Sequence, residues 1–385
     1  MKKVLVTYIE AGMGHIVSAQ AIAESLGELV GDNIQLVAKN LFHENDILCK
    51  YEHFLIEEVK KASVHPFHSQ MQQFSKHLIG AQNSLKFIHS AIYGKQVKLY
   101  VEELKKINPD IIIDTHFFTS YCSVYYRDHF NPNCQVVTYD PDNNVHGWWS
   151  RDVDNLLVNN ATAYSQALHK KFTTQQVKQV YFVARHGVDT VTESKEFYRA
   201  KYNIPQENFT VMLADSIYAK AKLKSFVMEF VKTSRRVTLI ALTGNNTELY
   251  EKFVKLKDSL PQNITLLPLH FAPNIYELLK ACDLFVTKAG PNAVLDSVFM
   301  RVPVLINFWA NHIEHTTKKL FIDGLGCGVV IKNQVKARQF VEQCIDDGSM
   351  LTKYIENERK LDKNKNGAVE VAHFVIDKLN MSASE

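Results

Sequence analysis

"KKVLVTYIEAGMGHIVSAQAIA", residues 2–23, reads as three consecutive pieces of chain. Val4-Leu5-Val6 is an apolar run of strand type, Ala11-Gly12-Met13-Gly14-His15 is a glycine turn, and Ile16 to Ala23 has helical composition and spacing. A strand that feeds a helix through such a turn is the first unit of a parallel sheet wrapped by helices, and the alternation recurs along the chain. Strands are expected near 3–9, 34–41, 109–116, 134–140, 155–160 and 179–184, then near 209–215, 236–242, 263–269, 284–289, 302–307 and 326–331. The fold class is therefore α/β, with two doubly wound domains facing each other across a cleft and ligands beyond the carboxyl ends of the strands. The polar stretch "HGVDTVTESKEFYRAKYNIPQEN" has no strand of its own and separates the two sets. The expected division is an amino-terminal domain 1–190, a linker 191–207, a second domain 208–365, and a last helix within 366–385, amphipathic from Val369 to Leu379, packing back.

Length agrees, since 385 residues exceed what one hydrophobic core usually supports. No apolar stretch approaches the roughly 20 residues of a membrane-spanning helix, and Met1-Lys2-Lys3 runs straight into a strand, so a cytosolic chain is expected. Cys49, Cys122, Cys134, Cys282, Cys327 and Cys344 form no C-x-x-C pair, which suits reduced packing residues and not a structural zinc site. A net charge of +3 gives no reason to expect nucleic acid as a partner.

The glycine turn offers backbone N–H groups and a helix dipole to an anion or a close polar ligand. A dinucleotide is excluded on two counts: Val17 stands where the third glycine of G-x-G-x-x-G belongs, and the second strand ends in Lys39-Asn40 without the acid that would hold an adenine ribose. The glycines could simply make a tight turn. His15 adds a group that exchanges a proton near neutral pH.

A second turn of the same kind lies in "KACDLFVTKAGPNAVLDSVFMRVPVLI", residues 280–306. Here Leu284-Phe285-Val286 leads into Lys288-Ala289-Gly290-Pro291-Asn292, where Gly290 supplies a turn and Pro291 pre-sets the first helical φ. Free amides there suit a diphosphate, and Asp296, about one and a half helical turns on, suits ribose hydroxyls.

With "AGMGH" near the amino terminus, "TYDPDNNVHGWW" at 138–149 and "TKAGPNAVLD" at 287–296, the chain resembles the monogalactosyldiacylglycerol synthase and processive diacylglycerol glucosyltransferase family. The resemblance runs from about residue 3 to about residue 332 and includes "LHFAPNIYELLKACDL" at 269–284. It implies the GT-B fold and an inverting transfer of a hexose from a UDP-sugar to a membrane-lipid hydroxyl, with the UDP-sugar as a substrate and no cofactor or metal. Carried over by position, it makes Gly12, Gly14 and His15 an acceptor-side loop, joined by His146 and Trp148. Either His15 or Asp140 could be the base, Asp140 being slightly favoured. On the donor side Phe271 and Ala272 would flank uracil, and Lys288 precedes Gly290, Pro291 and Asn292, which would meet the diphosphate. Asp296 would take the ribose and Glu314 the sugar. The plainer alternatives are a core Phe271, a solvated helix acid at Asp296 and a surface charge at Glu314.

The chain departs from the family at His312-Ile313-Glu314, where Gly-Gln-Glu is usual, and isoleucine cannot hydrogen-bond a sugar hydroxyl, so the sugar is unspecified. Asp296 replaces a glutamate, and Ala214-Asp215-Ser216-Ile217 lacks the glycines of many relatives. A GT-B enzyme with a soluble sugar-nucleotide substrate, such as an epimerase, and a non-catalytic binder with a decayed donor site therefore stay open.

Independently of the family, Val59 to Val101 contains no Asp or Glu but holds Lys60, Lys61, Lys76, Lys86, Lys95 and Lys98, four histidines, and interleaved Phe67, Met71, Phe74, Leu78, Phe87 and Tyr93. That pattern suits docking on an anionic membrane surface, the inner face of the cell membrane, or else a solvated amphipathic hairpin. His65-Pro66-Phe67-His68 and His312-Ile313-Glu314-His315 lack zincin spacing, and no Gly-x-Ser-x-Gly elbow occurs.

Overall fold

The computed structural model describes residues 1–10, 12–64, 93–214, 220–362 and 364–379. The chain forms two compact units, Met1–His186 with Lys365–Glu385, and Gly187–Asn364. The stretch expected to link them, 191–207, thus belongs to the second unit.

In the first unit the order is β1 (Lys2–Thr7), α1 (Met13–Val30), β2 (Ile34–Lys39), α2 (Asp46–Val64), α3 (Gly94–Ile107), β3 (Ile111–Asp114), α4 (Phe117–Phe130), β4 (Gln135–Asp140), β5 (Asn155–Val158), α5 (Ala161–His169) and β6 (Val177–Gln179). The strands lie in one six-stranded parallel sheet, β2-β1-β3-β4-β5-β6. Strand periodicity explains why both faces are covered. Val4 and Val6 of β1, with Ile111 and Ile113 of β3, pack in one cluster with Ala19, Ile22 and Leu26 of α1. Leu5 and Ile112 point the other way, among Tyr100, Leu104 and Phe118 of α3 and α4. Each such fully buried aliphatic side chain stabilises by about 1.5–3 kcal/mol relative to exposure.

The second unit continues with α6 (Lys195–Lys201), β7 (Phe209–Ala214), α7 (Lys220–Phe230), β8 (Val237–Leu242), α8 (Thr247–Lys257), β9 (Ile264–Leu269), α9 (Ile275–Lys280), β10 (Leu284–Lys288), α10 (Pro291–Phe299), β11 (Val304–Phe308), α11 (His312–Lys318), β12 (Gly328–Val330), α12 (Gln334–Asp346) and α13 (Thr352–Glu358). Its sheet is again six-stranded and parallel, in the order β12-β11-β10-β7-β8-β9. Helix α6 is held by Arg199, 6% exposed, whose guanidinium donates to the carbonyls of Ala281 (3.0 Å) and Gln206 (2.6 Å) and to Asp283 Oδ2 (2.6 Å).

The chain then returns to the first unit as α14 (Gly367–Lys378), whose Val371, Ala372, Val375 and Ile376 join the α1 cluster. Its approach explains one correction. The strand expected over 179–184 lies at Val177–Gln179, and after a last bond from Val180 N–H to Val158 O (2.9 Å) the backbone bonds to the start of α14 in place of a ladder. Tyr181 N–H donates to Glu370 Oε2 (2.8 Å), Ala184 N–H to Asn366 Oδ1 (3.1 Å), and Phe182 C=O accepts from Gly367 N–H (2.9 Å). A Cβ on Gly367 would lie 2.0 Å from Tyr181 O, so only glycine permits this approach.

Candidate functional site

In doubly wound sheets the loops that bind ligands follow the strands at which the order reverses. In the first unit that point lies between β1 and β3, where Thr7 is paired with Asp114. In the second it lies between β7 and β10, where Ala214 is paired with Thr287. The two glycine turns read from the sequence follow β1 and β10.

At the first switch point the chain enters α1 through Gly12, with φ 133° and ψ 141°, a conformation that L side chains rarely adopt. A Cβ on Gly14 would lie 4.0 Å from Pro141 Cβ, which places the turn against the end of β4. His15, half-buried in the first turn of α1, has Nδ1 2.5 Å from Thr115 O, while Thr115 Oγ1 donates to His15 O at 3.0 Å. A carbonyl can only accept, so Nδ1 carries the proton and the lone pair of the neutral ring sits on Nε2. His116 is set the other way: it caps α4, its Nδ1 accepting from Phe118 N–H at 3.2 Å. The two imidazoles meet edge-on, centroids 4.8 Å apart.

From His116 the rings continue through Phe117 (4.1 Å) to Trp148 (5.0 Å) and His146 (5.6 Å), and His146 stacks on Trp149 (5.5 Å). The first turn and the middle motif are therefore brought together, with residues 114–117 as the bridge. Asp140 ends β4 at 1% exposure, with Oδ1 accepting from Asp142 N–H at 3.0 Å. Beneath the bridge Asp114 is fully buried and bonded to Ser123 Oγ (3.2 Å) and to Thr119; burial pushes its carboxyl up to about 7 against those bonds. Asp114, Thr115 and His116 were not among the expected site residues. The available signal was "IIIDTHFF", an apolar strand that ends abruptly in three polar residues.

At the second switch point Gly290 is the residue before α10, with φ −71° and ψ 131°, and Pro291 opens the helix. These angles suit any residue, and an added Cβ would meet only Lys288 Cε at 3.7 Å, so Gly290 leaves room and does not relieve backbone strain. Between β10 and β11 the register slips, Thr287 facing Ile306 and Lys288 facing Phe308, which leaves Asn307 as the extra residue of a bulge. Lys288 Nζ pairs with Glu314 Oε1 at 2.5 Å, and Glu314 Oε2 accepts from Ala310 N–H at 2.7 Å. Glu314, 3% exposed, is not a surface charge, nor is Asp296, also 3% exposed, a solvated acid. Phe271 is 57% exposed and so not core. Ala272 is half-buried beside it, and Asn292, in the first turn of α10, has a buried Nδ2 without a hydrogen-bond partner among the described residues.

Helices α5, α8, α9, α11, α12 and α14 each begin with an asparagine whose side chain accepts from a first-turn N–H. Helices α1 and α10, like α3 and α13, have neither a side-chain cap nor an acid in the first turn, and α1 and α10 are the two of these that start just past a switch point, with the positive end of the dipole uncompensated there.

The basic segment lies mostly outside the described residues, as do Asp215-Ser216-Ile217 and His65 to His68. Of its described lysines, Lys60 and Lys61 are neutralised locally by Glu57 (2.6 Å) and Glu58 (2.8 Å), whereas Lys95 and Lys98 are exposed on α3. Among the described residues no helix is long and apolar enough to cross a membrane, and no cluster of His, Cys, Asp or Glu is arranged to hold a metal ion.

Residues 15–184 match the family described as monogalactosyldiacylglycerol (MGDG) synthase. The chain is 22% identical over 385 residues to monogalactosyldiacylglycerol synthase 2, chloroplastic, of Arabidopsis thaliana, covering 94% of this chain and 77% of that one. It is 19% identical over 386 residues to the processive diacylglycerol beta-glucosyltransferase of Staphylococcus aureus, covering 99% and 94%. Among solved structures, the UDP complex of S. aureus MnaA superposes with a TM-score of 0.61 at 13% identity, covering 99% of this chain and 98% of that one. The fold is GT-B, two Rossmann-like units, and these comparisons support the family read from the motifs: the chain is similar, at low identity, to the monogalactosyldiacylglycerol synthases and processive diacylglycerol glucosyltransferases.

Proposed function

We propose that the chain is an inverting glycosyltransferase that moves a hexose from a UDP-sugar to the hydroxyl of a membrane lipid, diacylglycerol or a glycolipid. The observation that carries this reading is His15, held at the first switch point with Nδ1–H on a backbone carbonyl and Nε2 left basic, in a chain related to lipid glycosyltransferases. Nε2 takes the proton of the acceptor hydroxyl as its oxygen attacks the anomeric carbon; the bond to UDP breaks and the nucleotide leaves as an anion. Asp140, more deeply buried and bonded within its own loop, shapes the acceptor side, and the base is assigned to His15. His146 and Trp148 line that side through the ring network.

On the donor side the uncapped amides of α10 at Gly290, Pro291 and Asn292 receive the diphosphate, exposed Phe271 and Ala272 flank uracil, and Asp296 takes the ribose. Glu314, oriented by Lys288 and Ala310, accepts from a sugar hydroxyl. The protein works peripherally, at the cytosolic face of a membrane, and the segment 59–101 supplies contact with anionic headgroups.

The test is incubation of UDP-glucose or UDP-galactose with diacylglycerol vesicles, scored by UDP release and by mass spectrometry of the lipids. Release that requires lipid and yields a hexosyl-lipid is expected. Turnover of the nucleotide sugar without lipid would mean a soluble-substrate enzyme, and lack of saturable UDP binding a non-catalytic relative.

A further inference from the structure

Beyond the residues assigned above, a tightly built polar cluster of the first unit surrounds Glu52, on α2 at 1% exposure. A carboxylate so far from water is costly unless its oxygens are occupied. Oε1 accepts from Glu10 N–H at 2.8 Å and from Asn40 Nδ2 at 2.8 Å, and Oε2 lies 3.1 Å from His43 Nε2. Asn40 is itself fixed, its Oδ1 accepting from Phe42 N–H at 3.0 Å. The donors follow the carboxyl ends of adjacent strands, Glu10 after β1 and Asn40 after β2. Glu10 also immediately precedes the turn that delivers Gly12, Gly14 and His15.

Downstream, that turn is held by the pair of bonds between His15 and Thr115. Upstream, the bond from Glu10 N–H to Glu52 anchors its entry to a helix that belongs to neither strand. A solvated acid at this position on α2 would do nothing for the turn; a buried one that reaches a backbone amide at its mouth fixes where the turn begins. We propose that Glu52 is a positioning residue for the transfer reaction, clamping the entry of the glycine turn so that His15 Nε2 is held in line with the acceptor hydroxyl. This rests on the role given to His15 above.

The clamp acts on the turn and not on the donor residues, which lie in the other unit. Its loss therefore lowers kcat and spares the KM for the UDP-sugar. What matters is reach, so Glu52→Gln, which keeps Oε1 as acceptor for both N–H groups, should recover most of the rate. Glu52→Asp, which keeps the charge but is one methylene shorter, should not.

The experiment compares Glu52→Ala, Glu52→Asp and Glu52→Gln in the full chain, by steady-state kinetics with UDP-hexose and diacylglycerol vesicles and by amide hydrogen exchange of the peptide spanning residues 8–16. Expected are a kcat loss on the order of 10- to 100-fold for Ala and Asp, an unchanged donor KM, faster exchange in that peptide, and near-native behaviour of Gln. If Ala does not fold, the ranking of Gln above Asp decides. A ranking of Asp above Gln, an unchanged kcat in Ala and Asp, or loss of donor affinity in parallel with kcat would overturn the clamp. If the wild-type chain transfers no hexose, the proposed function fails, and the exchange comparison still shows whether Glu52 holds the turn.

Discussion

At the first switch point the chain turns through Gly12, φ 133°, into an uncapped helix that presents a histidine; at the second it turns through Gly290, φ −71°, into an uncapped helix opened by proline. The first turn is anchored by backbone bonds to a neighbouring strand end, His15 to Thr115. The second is flanked by a buried ion pair, Lys288 to Glu314. In the proposed function one local design, strand, turn and bare helix end, serves once for moving a proton and once for holding charge. The two turns share the pattern and differ in the residues packed around each helix end, and the proposed division rests on that difference.

The sharpest way to break that comparison is to remove the chemical group at each turn and ask which kinetic constant moves. His15→Ala should lower kcat by about 10³-fold, within the usual range for a lost general base, with UDP affinity unchanged. Lys288→Met should act on the other constant, raising the KM for the UDP-sugar about tenfold, since it leaves Glu314 buried beside the sugar site without its cation. Steady-state kinetics with calorimetric UDP titration separates the two. A shared effect on kcat alone, or on KM alone, would mean that the two turns are not divided in this way.

Much of this was legible in the sequence because parallel strands buried on both faces leave apolar runs that need no partner to be recognised. All six strands of the second unit fall where β-branched runs predict them. The sixth strand of the first unit is expected too far along the chain because Tyr181, Phe182 and Val183 have strand composition, whereas it lies at Val177–Gln179 and those three residues run alongside α14, arriving from the far end of the chain. The expected linker has a helix-starting Ser194, but what holds that helix, Arg199 on Asp283, depends on a residue remote in sequence. The same applies to the site. Glycine turns are local and readable, whereas the pairing of Lys288 with Glu314, the bridge at Asp114 to Phe117, and Glu52 beneath Glu10 exist only once strands are ordered.

The bridge gives the next test, read in stability and not in rate. Asp114 is buried in the first unit with its carboxyl pushed up to about 7, and Glu358, also buried, in the second with its carboxyl pushed up to about 9. Each binds its proton more tightly folded than unfolded, so its contribution to stability is complete below the unfolded value and is lost as pH rises through the folded one. For Asp114 that window runs from about 4 to about 7. Asp114→Asn keeps acceptor capacity for Ser123 and Thr119 but has no proton to lose. The variant should gain on the order of 4 kcal/mol relative to wild type between pH 4 and pH 8, read from thermal or denaturant unfolding across that range. Glu358 contributes a slope to both proteins, which cancels in the difference. Equal pH dependence in the two would show that Asp114 is ionised in the folded chain.

The mildest change addresses the turns directly. Alanine at position 12 must adopt φ near 133°, which side chains avoid, at a cost of about 1–3 kcal/mol. Alanine at position 290 meets ordinary angles and a flexible lysine carbon at 3.7 Å, so Gly290→Ala should shift stability by under about 0.5 kcal/mol. If the diphosphate approaches the N-terminus of α10 closely, the same methyl group will still raise the KM for the UDP-sugar, because the space that glycine leaves is then needed by the ligand and not by the backbone. Gly12→Ala should do the reverse, lowering stability and kcat and leaving donor binding alone. Unfolding midpoints and donor KM measured on both variants decide it. Equal destabilisation would mean that the two glycines serve the backbone alike, and the division between a strained turn and a roomy one would have to be abandoned.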